Sequence, residues 1–309
     1  MNEARVSLVT TVLNAADHID EFLDSVAAQT RPSDEVIVCD GGSTDGTLEA
    51  LQRADGITLI VEHGANIARG RNVAIGAAAH DVIALSDADC VLDPDWLERL
   101  LEPIEAGADV AMGFYRPITE GFLQSCMAAV NLPEADEIDE ATFMPSGRSV
   151  AFRRGAIEAA GGFPEWLDIG EDMYVDHRWR ELGLDMRLAP GAVARWRLRP
   201  TLAATWAQYF RYARGDAIAG MYPERHALRF GVYSGALYAW SSRSRLLKLI
   251  TLASGAAYAA KPVKRALTRF DDPVDRAKAA VAVPALMAFI DAAKTGGYVA
   301  GLLHRRQRP

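Results

Sequence analysis

Val36-Ile37-Val38-Cys39-Asp40-Gly41-Gly42-Ser43-Thr44-Asp45-Gly46-Thr47 sets a four-residue apolar run directly against a polar loop with three glycines. So short and so apolar a run reads as a strand buried on both faces. Leu48 and Leu51, beyond the loop, read as a short helix behind it. Upstream, Val6–Val9 is a second strand of the same kind, followed by Ile19, Phe22, Leu23, Val26 and Ala27 at helical spacing, with Asn14 or Asp17 available as the cap. Downstream come a strand at Ile57–Val61, an Ala-rich helix from Ile67 to Ala79, and a fourth strand at Val82–Leu85. Apolar strands alternating with amphipathic helices predict an α/β fold with a parallel sheet covered on both faces. Ligands of such sheets bind beyond the carboxyl ends of the strands. There this chain places Thr10-Thr11-Val12-Leu13-Asn14, the Asp40–Thr47 loop and Ser86-Asp87-Ala88-Asp89.

Past residue 110 the alternation loosens. The acidic stretch Glu134–Glu140 reads as a surface loop or solvated helix, Ser146–Phe152 as a further strand, and Gly161-Gly162-Phe163-Pro164 as a turn. A helix follows Glu171-Asp172 and ends near Leu182-Gly183.

The chain has 309 residues, half of them hydrophobic and 24% charged, which excludes disorder and low-complexity folds. Its net charge of −8 argues against a nucleic-acid binder. That average conceals a split, because residues 1–240 carry −17 and residues 241–309 carry +9. Cys39, Cys90 and Cys126 are too few and too scattered for a disulfide framework or a thiolate zinc site, and read as small buried hydrophobes. No secretory leader precedes the first strand, so a cytoplasmic location is expected.

Asp87-Ala88-Asp89 ends a buried strand. On an extended chain the two carboxylates project to one side and could share a divalent cation, and all-oxygen ligands suit Mg²⁺ or Mn²⁺. A calcium loop from Asp87 to Glu98 fails, because Val91 and Leu92 stand where a ligand and the turn glycine belong. Neither a Gly-Lys-Ser/Thr phosphate loop nor a Gly-x-Gly-x-x-Gly fingerprint is present. Read alone, the Asp40–Thr47 loop is a capped strand-to-helix turn, and Glu171-Asp172 are acids favoured at a helix N-terminus.

Together, the segment 6–14, Asp40–Thr47, Arg71-Asn72, Asp87-Ala88-Asp89 and Gly170-Glu171-Asp172 resemble the family 2 glycosyltransferases in order and spacing, over roughly residues 5–215. The resemblance implies a GT-A fold: a mixed, mainly parallel sheet with helices on both faces, here with a C-terminal helical extension. It implies inverting transfer of a sugar from a nucleotide-diphospho-sugar, with Mn²⁺ or Mg²⁺ as cofactor. Carried over by motif, Asp40 holds the nucleobase, with Thr11, Leu13 and Arg71 also around the nucleotide. Asp87 serves the ribose or the metal, Asp89 ligates the metal, and Asp172 is the general base with Glu171 beside it. An inverting displacement needs one base and no covalent nucleophile, and the diphosphate that departs needs its charge neutralised.

The sequence departs from that pattern in three places. Gly41 replaces the usual second acid of the loop, Ala15 replaces an acid often found after the first Asn, and Arg195-Trp196-Arg197-Leu198-Arg199 stands where many members carry a His. Arginines at alternate positions suit phosphates or a solvated basic edge equally. Arg148 and Arg197 are the candidates for an acceptor or phosphate contact, together with Gln208, Arg211 and Tyr212 of a Gln-x-x-Arg-Tyr segment similar to a motif of polysaccharide-forming relatives. On a helix the last three share a face opposite Trp206, Tyr209 and Phe210. An ordinary amphipathic helix explains the segment as well.

The expected division is a catalytic domain over residues 1–225 and a basic, apolar helical region over 226–309. In that tail two apolar runs, one ending at Ala260 and one over Ala279–Ile290, are too short to span a bilayer comfortably and carry basic flanks. They suit the headgroup layer of an anionic membrane, at the inner face of the plasma membrane, or a helix pair packed with a solvated edge. The overall expectation is a single-addition transferase acting on a hydroxyl acceptor, lipid-linked or part of a cell-envelope glycan. Its rivals are a sugar-nucleotide nucleotidyltransferase, whose Gly-rich Arg/Lys loop residues 9–18 lack, and a non-catalytic nucleotide-sugar-binding scaffold.

Overall fold

Val6–Val12 (β1) opens the chain's sheet, and α1 (Ile19–Ala27) returns over it with Ile19 and Phe22 buried. Then follow β2 (Glu35–Asp40), α2 (Thr47–Arg53), β3 (Ile57–Val61), α3 (Ile67–Ala77), β4 (Val82–Leu85), β5 (Cys90–Leu92), α4 (Trp96–Glu105), β6 (Val110–Ile118) and α5 (Gly121–Asn131). The remainder is β7 (Val150–Arg153), α6 (Arg154–Ala160), α7 (Glu171–Glu181), β8 (Met186–Arg197), α8 (Leu202–Ala219), α9 (Pro223–Ser241), α10 (Arg245–Arg269) and α11 (Pro273–Arg306). The structure, a computed structural model, describes residues 4–306, so the first three residues and Gln307 and Arg308 of the closing basic run lie outside it.

The chain divides into two compact units. The first runs through Ile118 and resumes over Glu134–Arg197. The second comprises Thr119–Pro133 and the chain from Leu198 onward. The expected boundary at residue 225 therefore falls inside the second unit, in the first turn of α9.

In the first unit the sheet order is β3-β2-β1-β4-β7-β6-β8-β5. β3, β2, β1 and β4 are mutually parallel, β7 runs antiparallel to β4 and β6, and β8 is parallel to β6 with β5 antiparallel at its edge. The expected mixed, mainly parallel sheet is present. Its core gathers Val9, Ile37, Leu85, Phe152 and Trp179 with their neighbours. The register between β6 and β8 jumps at Gly113/Phe114, where Pro190, Gly191 and Ala192 bulge out of β8. Ser149 fills the bulge, accepting from Trp96 Nε1 at 2.8 Å and donating to the Ala192 carbonyl at 3.0 Å.

Three local expectations change. The N-cap position of α1 falls on His18, with no capping side chain, because Asn14 is turned into a left-handed conformation (φ 53°) to serve the neighbouring loop. The expected strand at Ser146 begins only at Val150, because Ser149 N donates back to the Ser146 carbonyl at 3.0 Å and closes a turn. Asp87–Asp89 is likewise not extended: Cys90 N donates to the Asp87 carbonyl at 3.1 Å, so the two carboxylates leave a turn.

In the second unit α8 and α11 pack along their lengths, with Tyr209, Ile290 and Ala293 buried between them. Thr201 caps α8 by accepting from Ala204 N, and Ser244 caps α10 by accepting from Leu247 N. The apolar runs of the tail are longer as helices than as sequence. α11 continues for 34 residues, and by length and composition Pro273–Arg305 could cross a membrane (mean hydropathy 1.3), although 39% of its most apolar stretch is buried within the protein.

Candidate active site

The site is built at the carboxyl ends of the parallel strands. Asp40 closes β2 and is fully buried. Its Oδ1 accepts from Gly42 N and Ser43 N, both at 2.8 Å, whereas its Oδ2 has no partner among the described residues. A buried carboxylate oxygen left open at a rim is an acceptor waiting for an N–H donor. The loop is laced to the end of β1. Asn14 N donates to Ser43 Oγ at 2.8 Å, Thr44 N to Asn14 Oδ1 at 2.9 Å, and Ala15 N to Thr47 Oγ1 at 2.7 Å. Gly42, at φ +97°, has His63 so close that a Cβ would lie 2.8 Å from its ring nitrogen. Thr11 pairs with Cys39 inside the sheet, and Leu13 stands exposed beside Gly41.

Arg71 organises the rest. α3 approaches β1 so closely at Gly70 that a Cβ there would sit 2.9 Å from Thr11 Cγ2, and this contact delivers Arg71 into the interior. Its side chain is 2% exposed, with Nη2 2.8 Å from Asp87 Oδ1 and Nη1 2.6 Å from Glu171 Oε1. The guanidinium lies over the Phe163 ring at 5.2 Å. Burial works to lower its pKa, but the charges of Glu171, Asp87 and Asp172 and the bond to Asp87 hold it raised. The next residue, Asn72, clasps Phe163, its Nδ2 donating to the carbonyl at 2.8 Å and its Oδ1 accepting from the amide at 2.9 Å. Arg71-Asn72 thus ties the Asp87 turn to the segment leading into α7.

At the start of α7, Gly170 adopts the left-handed conformation (φ 84°), which turns the chain into the helix. Glu171 is buried, and burial pushes its carboxyl up to about 7, opposed by Arg71 and reinforced by Asp172 and Asp87. Asp172 is only half-buried. Its Oδ2 accepts from Gly147 N at 3.2 Å and its Oδ1 from Met173 N at 2.8 Å. The two neighbouring acids therefore differ. Glu171 is sealed against Arg71, and Asp172 borders a small cavity lined by Leu85, Gly147, Phe163 and Trp179.

Asp176, one turn further on, lines the same cavity and escaped the sequence reading. It is 3% exposed, its Oδ2 lacks a partner, and burial followed by the charge of Asp172 raises its pKa well above the usual carboxylate range. The i, i+4 spacing from Asp172 on one helix face was the available signal.

Arg148 is held by Ser146 Oγ at 2.7 Å and stacks on the Trp196 ring at 4.1 Å, its Nε 3.9 Å from Asp87 Oδ2. Arg197 instead pairs with Glu21 of α1, and Arg195 with Asp93, so β8 supplies the Arg148 site with a ring rather than a cation. Gln208, Arg211 and Tyr212 lie on α8 of the second unit. Gln208 is buried and donates to Tyr212 Oη at 2.9 Å, whereas Trp206 is 38% exposed. The expected apolar face is therefore only partly buried: Tyr209 and Ala213 are covered and Arg211 is exposed, but Gln208 and Gly215 are buried as well and Trp206 is not.

For a cation, Asp89 is the half-buried carboxylate on the turn, and Asp87 is already engaged by Arg71. Among the described residues no group of three or more His, Cys, Asp or Glu is arranged to hold a metal. One or two oxygens suit an ion that completes its octahedron with phosphate and water, as Mg²⁺ does in phosphate-substrate sites.

Comparison with known proteins agrees with this geometry. Residues 7–158 match the Glycosyl transferase family 2 model. The glycosyltransferase AglE of Haloferax volcanii is 27% identical over 224 residues, covering 68% of this chain and 72% of that one. The chain belongs to glycosyl transferase family 2. A second relative by sequence, the succinoglycan biosynthesis protein ExoA of Rhizobium meliloti, is 27% identical over 225 residues, 68% of each chain. Among solved structures, the mannosyltransferase PcManGT from Pyrobaculum calidifontis in complex with GDP-Man and Mn²⁺ shares the fold, with TM-score 0.55, 20% identity and coverage of 99% of this chain and 88% of that one. The expected GT-A fold is thereby established for this family 2 glycosyltransferase.

Proposed function

We propose that this glycosyltransferase moves a single sugar, with inversion, from a nucleotide-diphospho-sugar to a hydroxyl acceptor carried on a lipid or a cell-envelope glycan at the inner membrane face. One observation carries the reading: the buried Arg71 joins Asp87, on the turn after β4, to Glu171, beside the half-buried Asp172 at the start of α7. In this assignment Asp40 Oδ2 takes an N–H of the base, and Thr11 and Leu13 border it. Asp87 serves the ribose, Arg148 a phosphate, and Asp89 with Asp87 would hold Mn²⁺ or Mg²⁺. When bound, such an ion neutralises the departing diphosphate. Asp172 removes the acceptor hydroxyl proton as the new bond forms at the anomeric carbon and the bond to the diphosphate oxygen breaks on the opposite side. Glu171 acts as a positioning residue through Arg71. Gln208, Arg211, Tyr212 and Arg197 are proposed acceptor or phosphate contacts on the strength of their motifs alone.

The test is slow hydrolysis and transfer across a panel of UDP- and GDP-sugars with Mn²⁺, the product anomer read by NMR. Asp172→Asn is expected to keep donor binding and lose turnover on the order of 100-fold or more, and Asp89→Ala to lose the metal dependence. A product of retained anomeric configuration, or no metal-dependent turnover with any donor, overturns the reading.

A further inference from the structure

From Arg225 to Phe270 the chain runs 46 residues without a single Asp or Glu while carrying nine Lys and Arg. The same segment holds twelve of the twenty-four large apolar side chains that stand exposed among the described residues. It comprises α9 and α10, and their burial is uneven. α9 buries only His226 and Ala239, and α10 buries Ala259, Pro262 and Ala266 in its second half, where it meets α5 and α11. The end of α9 and the first half of α10 are left bare. There Leu237 is 74% exposed, Trp240 56%, Leu246 66%, Leu249 62% and Leu252 56%, with Arg243, Arg245 and Lys248 interleaved. Large apolar side chains left bare in such number require a covering phase.

We propose that the α9–α10 hairpin is a membrane-docking element that inserts Leu237, Trp240, Leu246, Leu249 and Leu252 into the headgroup boundary of an anionic bilayer. Charge selects the occupant. Arg243, Arg245 and Lys248, in a segment with no acid of its own, complement an anionic leaflet, which attracts each basic side chain near its surface, whereas Arg229 is already paired with Asp291. A second copy of this chain would bring the same cations face to face. The indole of Trp240 adds an amphipathic ring suited to the interface. On α11, Val283, Leu286, Met287 and Ile290 already face the interior of their own unit, although Val281 stands 74% exposed. The proposal deepens the inner-face placement given above and does not depend on the sugar-transfer chemistry.

The full-length protein should be tested by flotation with vesicles of phosphatidylcholine alone and of phosphatidylcholine with phosphatidylglycerol. Binding is expected to the anionic vesicles only and to weaken with salt. Arg243→Ala/Arg245→Ala/Lys248→Ala should lower the partition coefficient on the order of 100-fold. Leu246→Ser/Leu249→Ser should lower it as well, with the donor-hydrolysis rate and helix content retained in both variants. Binding that survives both variants overturns the assignment to this hairpin while sparing the inner-face reading. No binding to either vesicle overturns both. A dimer in light scattering that the serine variant dissolves and vesicles do not compete with overturns the proposal in favour of a second copy.

Discussion

Gly147 lacks a side chain for a reason outside its own loop: a Cβ there would lie 2.1 Å from Nη2 of Arg71. Arg71 is pinned by carboxylates on both sides and cannot yield. Gly147→Ala is therefore expected to cost about 1–3 kcal/mol, the usual penalty for overpacking an interior. In a urea series the cost should largely vanish in an Arg71→Ala background, and equal costs in both backgrounds would refute the contact. Glu171 makes a prediction in pH. Its folded pKa lies near 7, above the ordinary 4.5, so its proton is held more tightly in the native state. The stability this contributes is complete below about 4.5 and is lost as pH rises through about 7. Wild type should lose thermal stability relative to Glu171→Gln between pH 5 and pH 8, and parallel melting curves would contradict the assignment. The acids themselves were visible in the sequence as a motif. Their difference in burial was not, since the sealing of Glu171 depends on where α3 delivers Arg71.

At the scale of elements, the apolar run Val82–Leu85 matched its strand residue for residue, because nothing but burial on both faces suits such a run, and Ile57–Val61 matched too although β3 is a partly exposed edge strand. The segments that failed were turns next to the site. Asp87–Cys90 and Ser146–Ser149 are closed by backbone hydrogen bonds, and the turn signals of Asp87 and Ser146-Gly147 were overridden by the apolar strand residues beside them. The pairing of α8 with α11 was equally hidden. A Cβ on Gly297 would lie 2.0 Å from the Phe210 carbonyl oxygen, and one on Gly301 2.5 Å from that of Arg214. Two glycines four apart let the helix backbones touch. Gly297→Val must part the helices and should lower stability by at least ~2 kcal/mol, measured by chemical unfolding. A neutral result would mean that the close approach is not needed.

For the molecule as a whole, the acidic body and the basic tail perform separate work in the proposed reading. A body at −17 repels an anionic donor unless a cation intervenes. UDP or GDP should accordingly raise the melting temperature only with Mn²⁺ present, by the equivalent of about 2.7 kcal/mol at a hundredfold excess over Kd. Stabilisation of equal size in EDTA, or its persistence in Asp89→Ala, would exclude a metal-bridged donor. By itself, the sequence determined the four parallel strands, the acids at their carboxyl ends and the family, because apolar period and short motifs are properties of local chain. Tertiary structure alone decided which acid is buried, that Asp176 stands behind Asp172, that Arg197 turns to Glu21, and that the end of α9 and the start of α10 are left uncovered. Each of those depends on which distant segment arrives beside a residue, and that is set by packing rather than by the residue's neighbours in the chain.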